Sequence, residues 1–169
     1  NEKDREKYMK GYFNRGSNKF KLNKYEISDT GNPDWFGLTG QFELQDYGKK
    51  IADEWYLNMN LFKFYEHKEI DYPKRNTPIE HEYKNLATYV TILTIPEGYK
   101  ISYLPESKSY KNEVWGFDIT YRQEKNQVIM TQTFSNDHLL LQPDKFQAWN
   151  KVLENLYPLY RETISLIKK

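Results

Sequence analysis

The chain of 169 residues carries 25 Lys+Arg against 24 Asp+Glu, for a net charge of +1, and is 38% hydrophobic and 17% aromatic. A charge this close to zero sets up no broad field for nucleic acid or an anionic membrane surface, and zero Cys excludes disulfides, iron–sulfur clusters, thiolate zinc sites and thiol nucleophiles. Length and apolar content fit one domain, or a domain with an appendage, that buries roughly 70% of its unfolded surface without staples.

The opening run Asn1-Glu-Lys-Asp-Arg-Glu-Lys7 is charged and lacks an initiator Met, so it has the character of neither a signal peptide nor a membrane span, and it reads as cut from a longer chain. Tyr8/Tyr12 and Met9/Phe13 recur at i, i+4, which predicts a helix over residues 2–14 with Gly16 at its cap. Residues 1–16 are therefore expected as a helix continuing from an upstream domain, and 17–169 as an antiparallel β domain with a C-terminal helix over about 143–160.

After Gly16 the period changes to two. Phe20 and Leu22 alternate with polar residues, then the phase slips to Tyr25 and Ile27, as a bulge at Asn23-Lys24 would produce. The cluster Asp29-Thr-Gly-Asn-Pro-Asp34 ends that strand, and Phe36, Leu38, Gly40, Phe42 and Leu44 predict a half-buried one. A turn at Gly48-Lys-Lys50 leads to a strand through Trp55, Leu57, Met59 and Leu61, followed by a long polar connection from Glu66 to Pro78. Leu86–Ile95, Tyr99–Tyr103 and the hairpin Trp115–Tyr121/Val128–Phe134 are further strands, the hairpin turning at 123–127.

Phe146, Trp149, Leu153, Leu156, Tyr157 and Tyr160 form a helical stripe opened by Pro143-Asp144, and Pro158 should kink or end it. Residues 161–169 fit either helix or strand, with Ile164/Leu166 as the strand alternative. Asn150 falls on the polar face of the helix, where substitution shifts stability by less than about 0.5 kcal/mol. Seven or eight strands with no intervening helices exclude a parallel α/β sheet. The fold class is α+β, predominantly β, as an antiparallel β-sandwich or curved sheet with an N-terminal and a C-terminal helix.

Chemistry-bearing patterns are few. No Ser sits in a nucleophile elbow, and Gly37-Leu-Thr-Gly40 lies inside a strand pattern rather than in a phosphate loop. Of the three histidines, His67, His81 and His138, the runs Tyr65–Glu69 and Ile79–Tyr83 set the first two beside carboxylates, but with no His-x-x-x-His spacing solvated histidines explain them better than metal ligation. Asp29, Asn32 and Asp34 place three oxygens in one loop, which turn formation explains without calcium. The reading is thus a chain without catalytic residues, metal or cofactor.

Aromatics are the unusual resource. Trp55, Trp115 and Trp149 are in phase with the core, whereas Trp35 is out of phase with Phe36, Leu38 and Phe42. Trp35, Tyr47 and Tyr56 form the candidate binding surface, for a glycan stacked on the rings or an extended peptide paired at an edge. An apolar small molecule held under the C-terminal helix is a third reading.

The order Arg75-Asn-Thr-Pro-Ile79, a β-rich stretch into Ile95-Pro-Glu-Gly-Tyr99, then Leu104-Pro-Glu106, a hairpin and a closing Phe146…Leu153…Tyr160…Ile164…Lys169 segment resembles a known arrangement. It is similar to the C-terminal β-rich region of bacterial transglutaminase-like proteins flanked by domains of unknown function, over about Tyr56 to Lys169. Such chains typically carry a signal peptide, an N-terminal β domain, a papain-like Cys-His-Asp core and this tail. The resemblance implies a periplasmic or extracellular bacterial protein in which this chain is a non-catalytic accessory domain, with an upstream domain of the same polypeptide as its partner. No catalytic residue carries over, because the chain has no Cys and no match to the core's motifs.

Overall fold

A computed structural model describes residues 2–14, 19–31 and 36–169. The chain divides into two compact units, Asn1–Tyr47 and Gly48–Lys169.

In the first unit, α1 (Glu2–Phe13) accompanies the antiparallel hairpin β1 (Phe20–Asp29) and β2 (Phe36–Leu44). The register shifts between Leu22 and Lys24, the bulge the phase slip predicts. Met9 and Phe13 are buried but Tyr8 and Tyr12 are exposed, so the expected four-residue stripe is really half as wide. The Phe13 ring lies 6.4 Å from that of Phe42 and passes directly over Gly40, where a Cβ would collide with Phe13 Cζ. Close approach of a ring therefore accounts for that strand glycine. Lys19 donates to the Asp46 carboxylate across the open end of the hairpin.

The second unit is built from two four-stranded antiparallel sheets around one core. One sheet has the order β6 (Asn85–Thr94), β10 (Gln127–Asn136), β9 (Trp115–Glu124), β8 (Lys108–Lys111). The other runs β3 (Lys49–Ile51), β4 (Glu54–Leu57), β12 (Ile164–Lys168), β7 (Tyr99–Tyr103). A small pair, β5 (Ile79–Glu80) with β11 (Leu140–Leu141), completes twelve strands among the described residues. The molecule is α+β and predominantly β, with an N-terminal and a C-terminal helix.

Helix α2 (Phe146–Leu156) presents Phe146, Trp149, Val152, Leu153 and Leu156 to the core, and these side chains fill the space beneath it. The expected helix over 143–160 is shorter. Pro143–Lys145 and Leu159–Arg161 are 3₁₀ turns, and Pro158, which has no N–H to continue the ladder, stands between α2 and the second turn. Ile164–Lys168 resolves as a strand in the middle of its sheet, buried at Ile164, Ser165 and Leu166.

Three further expectations are corrected, and one strand lies where none was expected. Lys49 and Lys50, read as turn, are paired in β3 with Tyr56 and Trp55. The strand through Trp55 stops at Leu57 instead of continuing to Leu61, because Asn58 Oδ1 accepts the Asn60 N–H at 2.7 Å and bends the chain. The Trp115 hairpin turns tightly at Lys125-Asn126, with Glu124 opposite Gln127, rather than over the longer stretch. Strand β8, polar and short, pairs with β9 although nothing in its sequence alternates clearly.

Candidate functional site

Polar chemistry in the second unit gathers where β5 and β11 meet the N-terminal end of β6. Leu140 and Leu141 pair with Glu80 and Ile79, and the His81 N–H donates to Leu139 O at 2.7 Å, so the clamp brings His81 close to His138. An adjoining cleft of about 310 Å³ is lined by Tyr65, His81, Glu82, Tyr83, Asn136 and Trp149 among others. Its floor is aromatic. His81 stacks on Trp149 with ring centroids 5.8 Å apart, Trp149 lies 4.9 Å from Trp115, and Tyr65 stacks on Trp115 at 4.4 Å.

Hydrogen bonds fix these rings. Trp149 Nε1 donates to Lys68 O at 2.9 Å and Trp115 Nε1 donates to Trp149 O at 3.2 Å. His81 Nε2 and His138 Nδ1 are buried nitrogens without a hydrogen-bond partner. Burial holds the His81 pKa below the usual imidazole value, and neighbouring His138 adds to the effect, so both factors favour a neutral ring. Burial likewise raises the Tyr65 hydroxyl pKa. A rim carrying Glu80 and Glu82 over an aromatic floor suits stacking and hydrogen bonding to a polar, uncharged or cationic ligand. Among the described residues no three His, Asp or Glu side chains converge to hold a metal ion.

Deeper in the unit, buried amides form a second polar group. Gln132 Nε2 donates to Asn60 Oδ1 at 3.0 Å, Asn60 Nδ2 donates to Leu159 O at 3.2 Å, and Asn58 Nδ2 donates to Tyr160 O at 2.8 Å. Tyr121 lies beside them, its hydroxyl pushed up to about 12 by burial against an opposing hydrogen bond from Asn60. This group ties the segment after β4 to the turn after α2, and every amide in it is engaged in holding backbone or another amide. Its role is architectural.

Tyr47 and Tyr56, singled out from sequence, are not among the residues that line the cleft. Trp35 is outside the described residues, as are Asn32 and Asp34 of the oxygen-rich loop. Asp29 Oδ1 accepts the Gly31 N–H at 2.8 Å, the turn chemistry expected of it. Tyr47 is 38% exposed at the end of the first unit, while Tyr56, in the second, is half-buried with its hydroxyl donating to Glu54 Oε2 at 2.7 Å. His67 is exposed with a left-handed φ of 60°. His81, read as a solvated loop residue, is instead stacked on Trp149. The His81/His138 neighbourhood escaped sequence reading because no local spacing links two residues joined only by strand pairing.

The model of a family described as a domain of unknown function with solved structure, DUF3858, matches residues 53–166. The chain belongs to the DUF3858 family. The DUF3858 segment lies inside the unit Gly48–Lys169 and takes in the cleft, α2 and the whole β6–β8 sheet. Comparison with curated proteins and with solved structures gives no match. No described helix is long and apolar enough to cross a membrane.

Proposed function

We propose that this chain is a non-catalytic accessory module of a larger exported bacterial protein, carried after a transglutaminase-like core and working as an interaction domain for it. The observation that carries this reading is the coincidence of the family segment, 53–166, with a compact unit, Gly48–Lys169, that owns its own core. The short motifs behind the resemblance are structural joints. Arg75 Nε and Nη2 donate to Thr77 O and Pro78 O. In Pro96-Glu-Gly-Tyr99 the Tyr99 N–H closes onto Pro96 O at 3.1 Å, and Gly98 takes φ 80°. Motifs of this type transmit a fold and a way of being attached. A periplasmic or extracellular location follows from the same resemblance.

The test is the intact reading frame around this segment. A signal peptide followed by a Cys/His/Asp core upstream is the expected finding, and an upstream region with neither would overturn the proposal.

A second reading, recognition of a glycan or extended peptide, draws on the aromatic-floored cleft at Trp149 and Tyr65 with Tyr83, 68% exposed, at its mouth. Tyr83→Ala should weaken binding of an oligosaccharide panel in calorimetry without changing the melting temperature. Absence of heat from any sugar or peptide with the unaltered chain counts against this reading.

A further inference from the structure

The two four-stranded sheets present four edge strands, β6, β8, β3 and β7. Three are guarded against pairing. Strand β8 is Lys-Ser-Tyr-Lys, β3 is Lys-Lys-Ile, and β7 is five residues long with Lys100 in it. Strand β6, Asn85-Leu-Ala-Thr-Tyr-Val-Thr-Ile-Leu-Thr94, is ten residues long, with no charge, no Pro and no bulge in its pairing with β10. Its outward row places Leu86, Val90 and Ile92 in solvent at 75%, 57% and 55% exposure.

We propose that β6 is the surface through which two copies of this chain pair, antiparallel and edge to edge about Val90. Charge selects a second copy as the occupant, because a strand without charged side chains meets its own image with no like charges opposed. With Val90 opposite Val90, Thr88 faces Ile92 and Leu86 faces Thr94, all on the outward row and all β-branched or aliphatic. Tyr89, turned to the inner face and stacked on Phe64 at 3.7 Å, then falls beside the two-fold axis and not on it, so the two stacks do not collide. The contact runs for about 30 Å along the strands, over residues 86–94 of each copy, at the usual rise per residue. It joins the two four-stranded sheets into one continuous sheet.

The lack of native Cys makes the test clean. In sedimentation equilibrium the 169-residue chain should dimerise, and Val90→Lys, which opposes two charges at the centre, should raise the dissociation constant by about tenfold or more while leaving unchanged the melting curve measured at dilution where both chains are monomeric. Under mild oxidation Val90→Cys should form a disulfide-linked dimer rapidly. Leu86→Cys should not, since its two copies stand roughly 27 Å apart in this register. A chain that stays monomeric up to high concentration overturns the proposal. So does a dimer indifferent to Val90→Lys, or cross-linking as fast through Leu86→Cys as through Val90→Cys.

Discussion

Asn150 acts as a one-residue strand partner for an irregular connection. Its Nδ2 donates to Ile70 O at 2.8 Å and its Oδ1 accepts the Ile70 N–H at 2.9 Å, so one side chain satisfies both main-chain groups of a buried residue. The helical pattern alone places Asn150 on the polar face, because its partner lies eighty residues away and no periodicity reports it. The expectation of a silent surface substitution is therefore revised. Asn150→Ala leaves the Ile70 donor and acceptor orphaned, which should cost about 1–3 kcal/mol. Trp149→Ala, losing both ring burial and the bond to Lys68 O, should cost about 3–5 kcal/mol. In urea denaturation the midpoints should fall in the order unaltered chain, Asn150→Ala, Trp149→Ala. An Asn150→Ala midpoint equal to that of the unaltered chain would show that water replaces the bridge without loss.

At the scale of elements, what repeats locally is readable and what is lent by a neighbour is not. Strands β2, β6, β7, β9 and β10 follow from alternation, and the β1 bulge from a phase slip, since each signal resides in consecutive side chains. Strands β3, β5, β8 and β11 are two to four residues long and are strands only because a partner elsewhere in the chain supplies the hydrogen bonds. The β5–β11 clamp shows the consequence, because it positions His81, which burial and His138 bias toward the neutral form. An unfolded His titrates near ~6.5, so below that pH the unfolded chain binds the proton first. This contribution to stability is complete above the unfolded pKa and is lost as pH falls through the lower folded one. Urea midpoints should accordingly drop between about pH 7.5 and about pH 5.5, and His81→Gln should flatten that slope. Glu54, held below the usual carboxylate range chiefly by the Tyr56 hydroxyl, and Glu113, held there first by its own backbone, lose their contributions only at lower pH, so the two windows separate. An unchanged slope in His81→Gln would mean the ring titrates normally in the folded chain.

At the scale of the whole molecule, stability is divided unequally between the units. The core that joins the two four-stranded sheets and α2 draws every residue from the unit Gly48–Lys169, while the first unit buries only Met9 and Phe13 among its described apolar side chains. A segment so short and so sparsely packed is marginal by itself, because too little of its surface leaves water on folding to offset the ordering of its backbone. The larger unit faces no such shortage. A polypeptide beginning at Gly48 should therefore fold alone, and its urea midpoint, followed through Trp55, Trp115 and Trp149, should match that of the 169-residue chain within about 0.5 kcal/mol of stability. The separate peptide 1–47 should give a circular dichroism spectrum without cooperative thermal unfolding. Failure of the Gly48 polypeptide to fold, or a midpoint well below that of the longer chain, would show that residues before Gly48 contribute to the core and that the compact unit is not an independent one.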